Sequence, residues 1–150
     1  MRIYLVVMDE TAEARKALRF AARRAARTGG AVHILAVVPQ HSFNAFGAVQ
    51  ATIEQEALER AEVLAASEAG NILAEYGKRP IISVRQGDPQ KVIRTYLADF
   101  PDVAALVLAA SAENGPGPLV SHFSAAAGTL PCPLYIVPGT LTNEAIDELA

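Results

Sequence analysis

Cysteine occurs once in this 150-residue chain, at Cys132, so no internal disulfide can form. A lone thiol fits a reducing cytoplasm better than an oxidising compartment. With 51% hydrophobic residues the chain can build a core without covalent staples. Long apolar runs are missing as well. The run over residues 3–8 stops at Asp9 and is too short for a signal peptide. The run VAALVLAA, 103–110, is far below the roughly 20 residues that span a bilayer. The expectation is one soluble cytoplasmic domain over residues 1–150, with no membrane partner.

Positive charge is absent from the last third. All 13 Lys and Arg lie in residues 1–94, which carry a net +3, whereas residues 95–150 carry −6. Several chemical signatures are missing too. There is no Gly-Lys-Ser/Thr phosphate loop and no G-x-S-x-G elbow. His33, His41 and His122 are scattered, and with one cysteine they give no metal-ligand spacing. Ser121 and His122 are adjacent, and adjacent helical residues do not face each other, so they make a poor nucleophile–base pair. Cys132 lies between two prolines and reads as a small buried residue. Asp9 reads as a turn aspartate before it reads as a catalytic acid. The expectation is a chain that is not an enzyme and has no metal site.

What is present alternates regularly. Apolar strands are expected at 2–8, 31–38, 81–85, 104–110 and within PCPLYIVPG, 131–139. Between them lie helices with apolar residues at helical spacing. Thr11 is the N-cap of the first and Gly29–Gly30 its end. Residues 39–50 read as a loop. A long helix follows over about 51–76, its buried face marked by Ile53, Ala57, Leu58, Ala61, Leu64, Ala65, Ile72 and Leu73. Asp88 and Pro89 start the third helix. A short helix is expected from about Leu119 to Ala127, and the tail 143–149 suits one or two amphipathic turns. Buried strands alternating with amphipathic helices predict a doubly wound five-stranded parallel sheet with helices on both faces. Ligands of such sheets bind beyond the strand C-ends where the strand order reverses. That places MDET, 8–11, opposite ASAENGPGPLVS, 110–121.

The stretch ENGPGPLVSH, 113–122, is a glycine-rich loop leading into a helix, the arrangement that holds phosphate. Its chemistry argues against that role. Pro116 and Pro118 lack an N–H. Glu113 brings negative charge, and no cation lies near in sequence. The reading preferred here is a rigid turn ending the fourth strand. Phosphate held by the helix-start N–H groups near Val120, Ser121 and His122, with the Ser121 hydroxyl, is the second reading.

The chain resembles the universal stress protein family over about residues 2–138. The matching features are VVMDET, the helix with ALRFA, the strand ending HILAVVP, QGDP before the third helix, and PCPLYIV. The resemblance implies an adenine nucleotide alpha hydrolase-like fold, a cytoplasmic stress role and dimerisation through the last strand. One branch of the family binds ATP through Gly, two residues, Gly, nine residues, then Gly and Ser or Thr. Ser121 matches the final position, but Val120 stands where the preceding glycine belongs. The earlier glycines fall on Ala109 or Ala110 and on Ala112 or Glu113, and the spacing is short. Asp9 and Val38 match the residues that meet the base in that branch. The resemblance therefore implies a crevice of Asp9, Val38, Ser121 and His122 with a degenerate phosphate motif.

Arg15, Arg19, Arg23 and Arg27 recur every four residues, a pattern that suits a solvated helix face better than a nucleic-acid surface. Leu134, Tyr135, Ile136 and Val137 form an apolar strand that, at an edge, invites pairing with a second copy. The alternative is an edge covered by the tail helix. The leading expectation is a non-enzymatic dimeric stress-response module acting on an unknown protein partner. It carries no cofactor, its nucleotide binding weak or lost. The alternative is a module that binds ATP or another adenine nucleotide at the ends of strands one and four. An enzyme or nucleic-acid binder using the same crevice ranks third.

Overall fold

A computed structural model of the chain describes residues 1–40 and 47–150, and the side chains of all of these except 47–50. The elements follow in the order β1 (Ile3–Met8), α1 (Ala12–Thr28), β2 (Ala31–Val38), α2 (Gly47–Tyr76), β3 (Ile81–Gln86), α3 (Pro89–Asp99), β4 (Val103–Ala110), α4 (Pro118–Ala125), β5 (Leu134–Pro138) and α5 (Asn143–Leu149). A single 3-10 turn, Ala127–Thr129, lies between α4 and β5. The strands form one parallel sheet in the order β3-β2-β1-β4-β5. The order reverses at β1, so its C-terminal end is the switch point.

Strand periodicity sorts the core into two layers. Tyr4, Val6 and Met8 of β1 face α1, α2 and α5, in one cluster with Ala17, Leu18, Ala21, Ala65, Ala69, Ile72 and Ile146. Leu5 faces the other side with Leu35, Leu106 and Leu108, against Ile93, Tyr96 and Leu97 of α3 and Phe123 of α4. Leu5, Leu35 and Leu106 are fully buried, and each such side chain stabilises the fold by about 1.5–3 kcal/mol. Both faces of β1 are therefore covered, which is why its sequence is apolar throughout rather than alternating.

The helix ends follow their local chemistry. The Thr11 hydroxyl accepts from the Ala14 N–H, and Gly29 closes α1 in the left-handed region at φ 68°. Asp88 accepts from the Lys91 N–H, with Pro89 in the first turn of α3.

Two expectations about helices change. The long helix starts at Gly47, so residues 47–50 are helical rather than loop, while the rest of that expected loop, including His41, lies largely outside the described residues. Its expected buried face is also only half right. Ile53 is 53% and Leu73 41% exposed, and the buried residues are Ala65, Ala69 and Ile72. For Ile53 the reason is length. A helix of 30 residues runs roughly 45 Å, about twice a six-residue strand. Its first half overhangs the sheet.

The arginine stripe of α1 is solvated at Arg15 and Arg27, as expected, but it also makes contacts within the chain. The Arg15 guanidinium meets Glu68 at 3.0 Å. Arg19 grips Asp147 of α5 through two hydrogen bonds of 2.8 and 2.7 Å and approaches Glu75 at 3.6 Å. Arg27 donates to the carbonyls of Asp147 and Ala150. The hydrogen bond to Arg19 holds the Asp147 carboxyl below its usual range. The stripe thus ties α1 to α2 and to the C-terminal helix.

Candidate functional site

The site is built where β1 stops. Met8 is the last strand residue and Asp9 the first beyond it. Asp9 Oδ1 accepts from the Thr11 N–H at 2.9 Å and from the Thr11 hydroxyl. The same Thr11 oxygen caps α1. One short turn therefore fixes the carboxylate and starts the helix together.

Opposite it, β4 ends at Ala110 and the loop closes on itself. The Ser111 N–H donates to the Pro116 carbonyl at 3.2 Å, and the Glu113 N–H donates to Ser111 Oγ at 3.2 Å. Asn114, Gly115 and Gly117 all lie at positive φ, which glycine tolerates and most residues do not. Pro118 opens α4. The Ser121 N–H already donates to the Gly117 carbonyl at 3.0 Å. The helix-start donors left in that first turn are those of Leu119 and Val120, one residue earlier than the sequence reading placed them.

A cavity of about 190 Å³ opens between these two ends, lined by Asp9, Thr11, Glu13, Ser111, Gly117 and Leu119 among others. Its ionisable lining side chains, Asp9 and Glu13, are both acidic. Gly139, after β5, packs beside Glu13, and its N–H donates to the Ala110 carbonyl at 2.8 Å. A Cβ there would stand 2.6 Å from that oxygen and 3.1 Å from Glu13 Cβ, so only glycine fits.

A second cavity, of about 200 Å³, lies on the α2 side of Asp9. Val38, Met8, Glu10 and the overhanging part of α2 (Ala57, Arg60 and Leu64) line it. Val38 ends β2, is buried, and its carbonyl accepts from the Gly87 N–H at 3.0 Å.

Of the four residues read from sequence, the structure brings Asp9 and Val38 to one cavity and Asp9 alone to the other. Ser121 and His122 line neither. Ser121 is exposed on α4. The His122 ring stands edge-on to Phe123 at 4.8 Å, its Nε2 buried with no hydrogen-bond partner among the described residues. Sequence reading passed over Glu13 and Leu119 as cavity walls, and Arg60 and Gly139 altogether. A helix-start acid and a glycine between strand and tail look like ordinary caps and turns. Arg60 lies 51 positions from Asp9 in sequence.

Elsewhere, burial pushes the Cys132 thiol up and the His33 imidazole down. Among the described residues no three His, Cys, Asp or Glu side chains are grouped to hold a metal. No described helix is long and apolar enough to cross a membrane.

A model of the universal stress protein family matches residues 1–138. The chain belongs to the universal stress protein family. Solved structures share its fold. The universal stress protein UspA from Lactobacillus plantarum is 19% identical, with TM-score 0.79, covering 91% of this chain and 97% of its own. A universal stress protein from Archaeoglobus fulgidus in complex with dAMP is 20% identical, with TM-score 0.56 and coverage of 91% and 97%. Another universal stress protein, in complex with cAMP, is 16% identical, with TM-score 0.58 and coverage of 91% and 96%. A search of curated proteins finds no significant match. The family model ends at the close of β5, so α5 is the part of this universal stress protein beyond it.

Proposed function

We propose that this universal stress protein is a non-enzymatic cytoplasmic module that works through protein contacts as a homodimer, with triphosphate binding weak. The observation that carries the reading is the cavity at the β1–β4 switch point. Its walls supply two carboxylates and no cation. Its loop spends N–H groups on its own acceptors and carries two prolines. A triphosphate placed there meets repulsion and few donors. Three of the four stripe arginines of α1, Arg15, Arg19 and Arg27, are engaged with α2 and α5, which weakens the case for a nucleic-acid surface.

Calorimetric titration with ATP and Mg²⁺ tests the reading. The expected outcome is little or no saturable heat at millimolar nucleotide. Clear binding weakened by Ser121→Ala overturns it.

The dimer is proposed through β5. This strand is an edge of the sheet, and Ile136 is 40% exposed on it. Leu134 is half-buried against the α3–α4 core, so an aspartate there would disturb folding as well as pairing. Ile136→Asp is the cleaner variant. Sizing chromatography should show a dimer for the parent and a monomer for Ile136→Asp; a parent that runs as a monomer removes the claim.

A second reading has its own support. Asp9 and Val38 share one cavity, and two relatives of the same fold are described with dAMP and cAMP. An adenine nucleotide held chiefly by its nucleoside part at the ends of β1 and β2 fits these observations.

A further inference from the structure

We propose that Arg60 is the phosphate anchor of this chain, and that the ligand it selects is an adenine nucleoside with a single phosphate rather than a triphosphate. The inference rests on the second reading above and gives that site its ligand class. Arg60 stands on the overhanging half of α2 and lines the cavity that also holds Asp9 and Val38. It is the cation of that lining, where the neighbouring cavity toward the 111–117 loop has none. Among the described residues it enters no ion pair or hydrogen bond. Glu56, one turn earlier on the helix and in the usual position for an i,i+4 pair, does not engage it. Among the described residues the guanidinium is therefore uncommitted, and its planar fork suits phosphate oxygens.

The two cavities meet at Asp9. Asp9 Oδ1 is occupied by Thr11, while Oδ2 makes no hydrogen bond among the described residues. A carboxylate oxygen of this kind accepts from a sugar hydroxyl. One end of the site thus takes a hydroxyl and the other an anion. Why a single phosphate follows from charge. Asp9 and Glu10 line the same cavity as the one arginine, and Glu13 lines the neighbouring cavity. Each additional phosphate adds negative charge beside these carboxylates and gains no further cation.

Titration of the full chain with adenosine, AMP and ATP, without divalent metal, tests the anchor against Arg60→Gln and Arg60→Lys. Arg60 is exposed, so both variants should fold, as circular dichroism will show. AMP should bind about tenfold tighter than adenosine, the effect of one charge-assisted contact, and ATP no tighter than AMP. Arg60→Gln should erase the preference for AMP and leave adenosine unchanged; Arg60→Lys should keep part of it. Added salt should shrink the preference, since the group is exposed. Equal binding of adenosine and AMP, or a preference that survives Arg60→Gln, overturns the anchor but leaves the nucleoside crevice standing. Binding of neither ligand overturns both. ATP binding much tighter than AMP and lost in Ser121→Ala overturns the anchor in favour of the 111–117 loop.

Discussion

His33 shows how little a strand pattern says about the partner of a single side chain. It sits in β2, is 3% exposed, and shares a hydrogen bond of 2.7 Å with the Tyr96 hydroxyl. Phe100 stands edge-on to its ring at 5.5 Å. Nothing in the strand pattern marks it as paired, because its partner lies 63 residues away. Burial holds its folded-state pKa below the usual 6.5. Between the two values the unfolded chain takes up a proton that the folded chain refuses. Stability is therefore full above pH 6.5 and falls as the solution is acidified below it. Urea denaturation of the parent at pH 8, 6.5 and 5 should show that decline, and His33→Leu should flatten it. A parent with constant stability over this range would contradict the assignment. Thr11 and Asp88, by contrast, were legible, because a cap contacts residues two or three positions away. Asp9 was legible as the end of a strand. Its tie to Thr11 follows the same local logic.

At the scale of elements, α2 and α5 carry what the strand–helix alternation does not explain. The length of α2 sends its first half past the sheet, where it becomes a wall of the second cavity and brings Arg60 to Asp9 and Val38. Its apolar spacing promised a buried face for all eight marked residues. The sheet was long enough to cover only part of them. The tail looked like an optional turn, and the alternative role suggested for it was cover for the β5 edge. It packs instead on α1. Ile146 is fully buried there, the Thr142 hydroxyl accepts from the Ala145 N–H at 3.1 Å, and α1 arginines hold the rest. Ile146→Ala should cost about 2–5 kcal/mol, the range for emptying a buried aliphatic site. Urea melts measure it. A cost near zero would mean that α5 contributes little to the core. The ion pairs on the helix surface, such as Arg15–Glu68, are expected to add much less.

For the whole molecule, the charge asymmetry of the chain is the property with most consequence. The strand order places Asp9 and Glu13 across from a loop drawn from the cation-free segment, so the switch-point cavity is acidic. For the loop at 111–117 the structure adds a second physical argument to the one made from sequence. The prolines withhold donors, and the loop also spends others on itself. The α/β class, the alternation of elements, the caps and the family likeness over residues 1–138 were determined by sequence alone, because periodicity and capping are local and survive without knowledge of the fold. Only tertiary structure decided that Arg60 and Asp9 line one cavity, that Arg15, Arg19 and Arg27 serve α2 and α5, and that Ser121 and His122 miss both cavities. Those facts depend on where the crossovers bring distant segments and how far each helix overruns its strand, and neither is a property of any short stretch of chain.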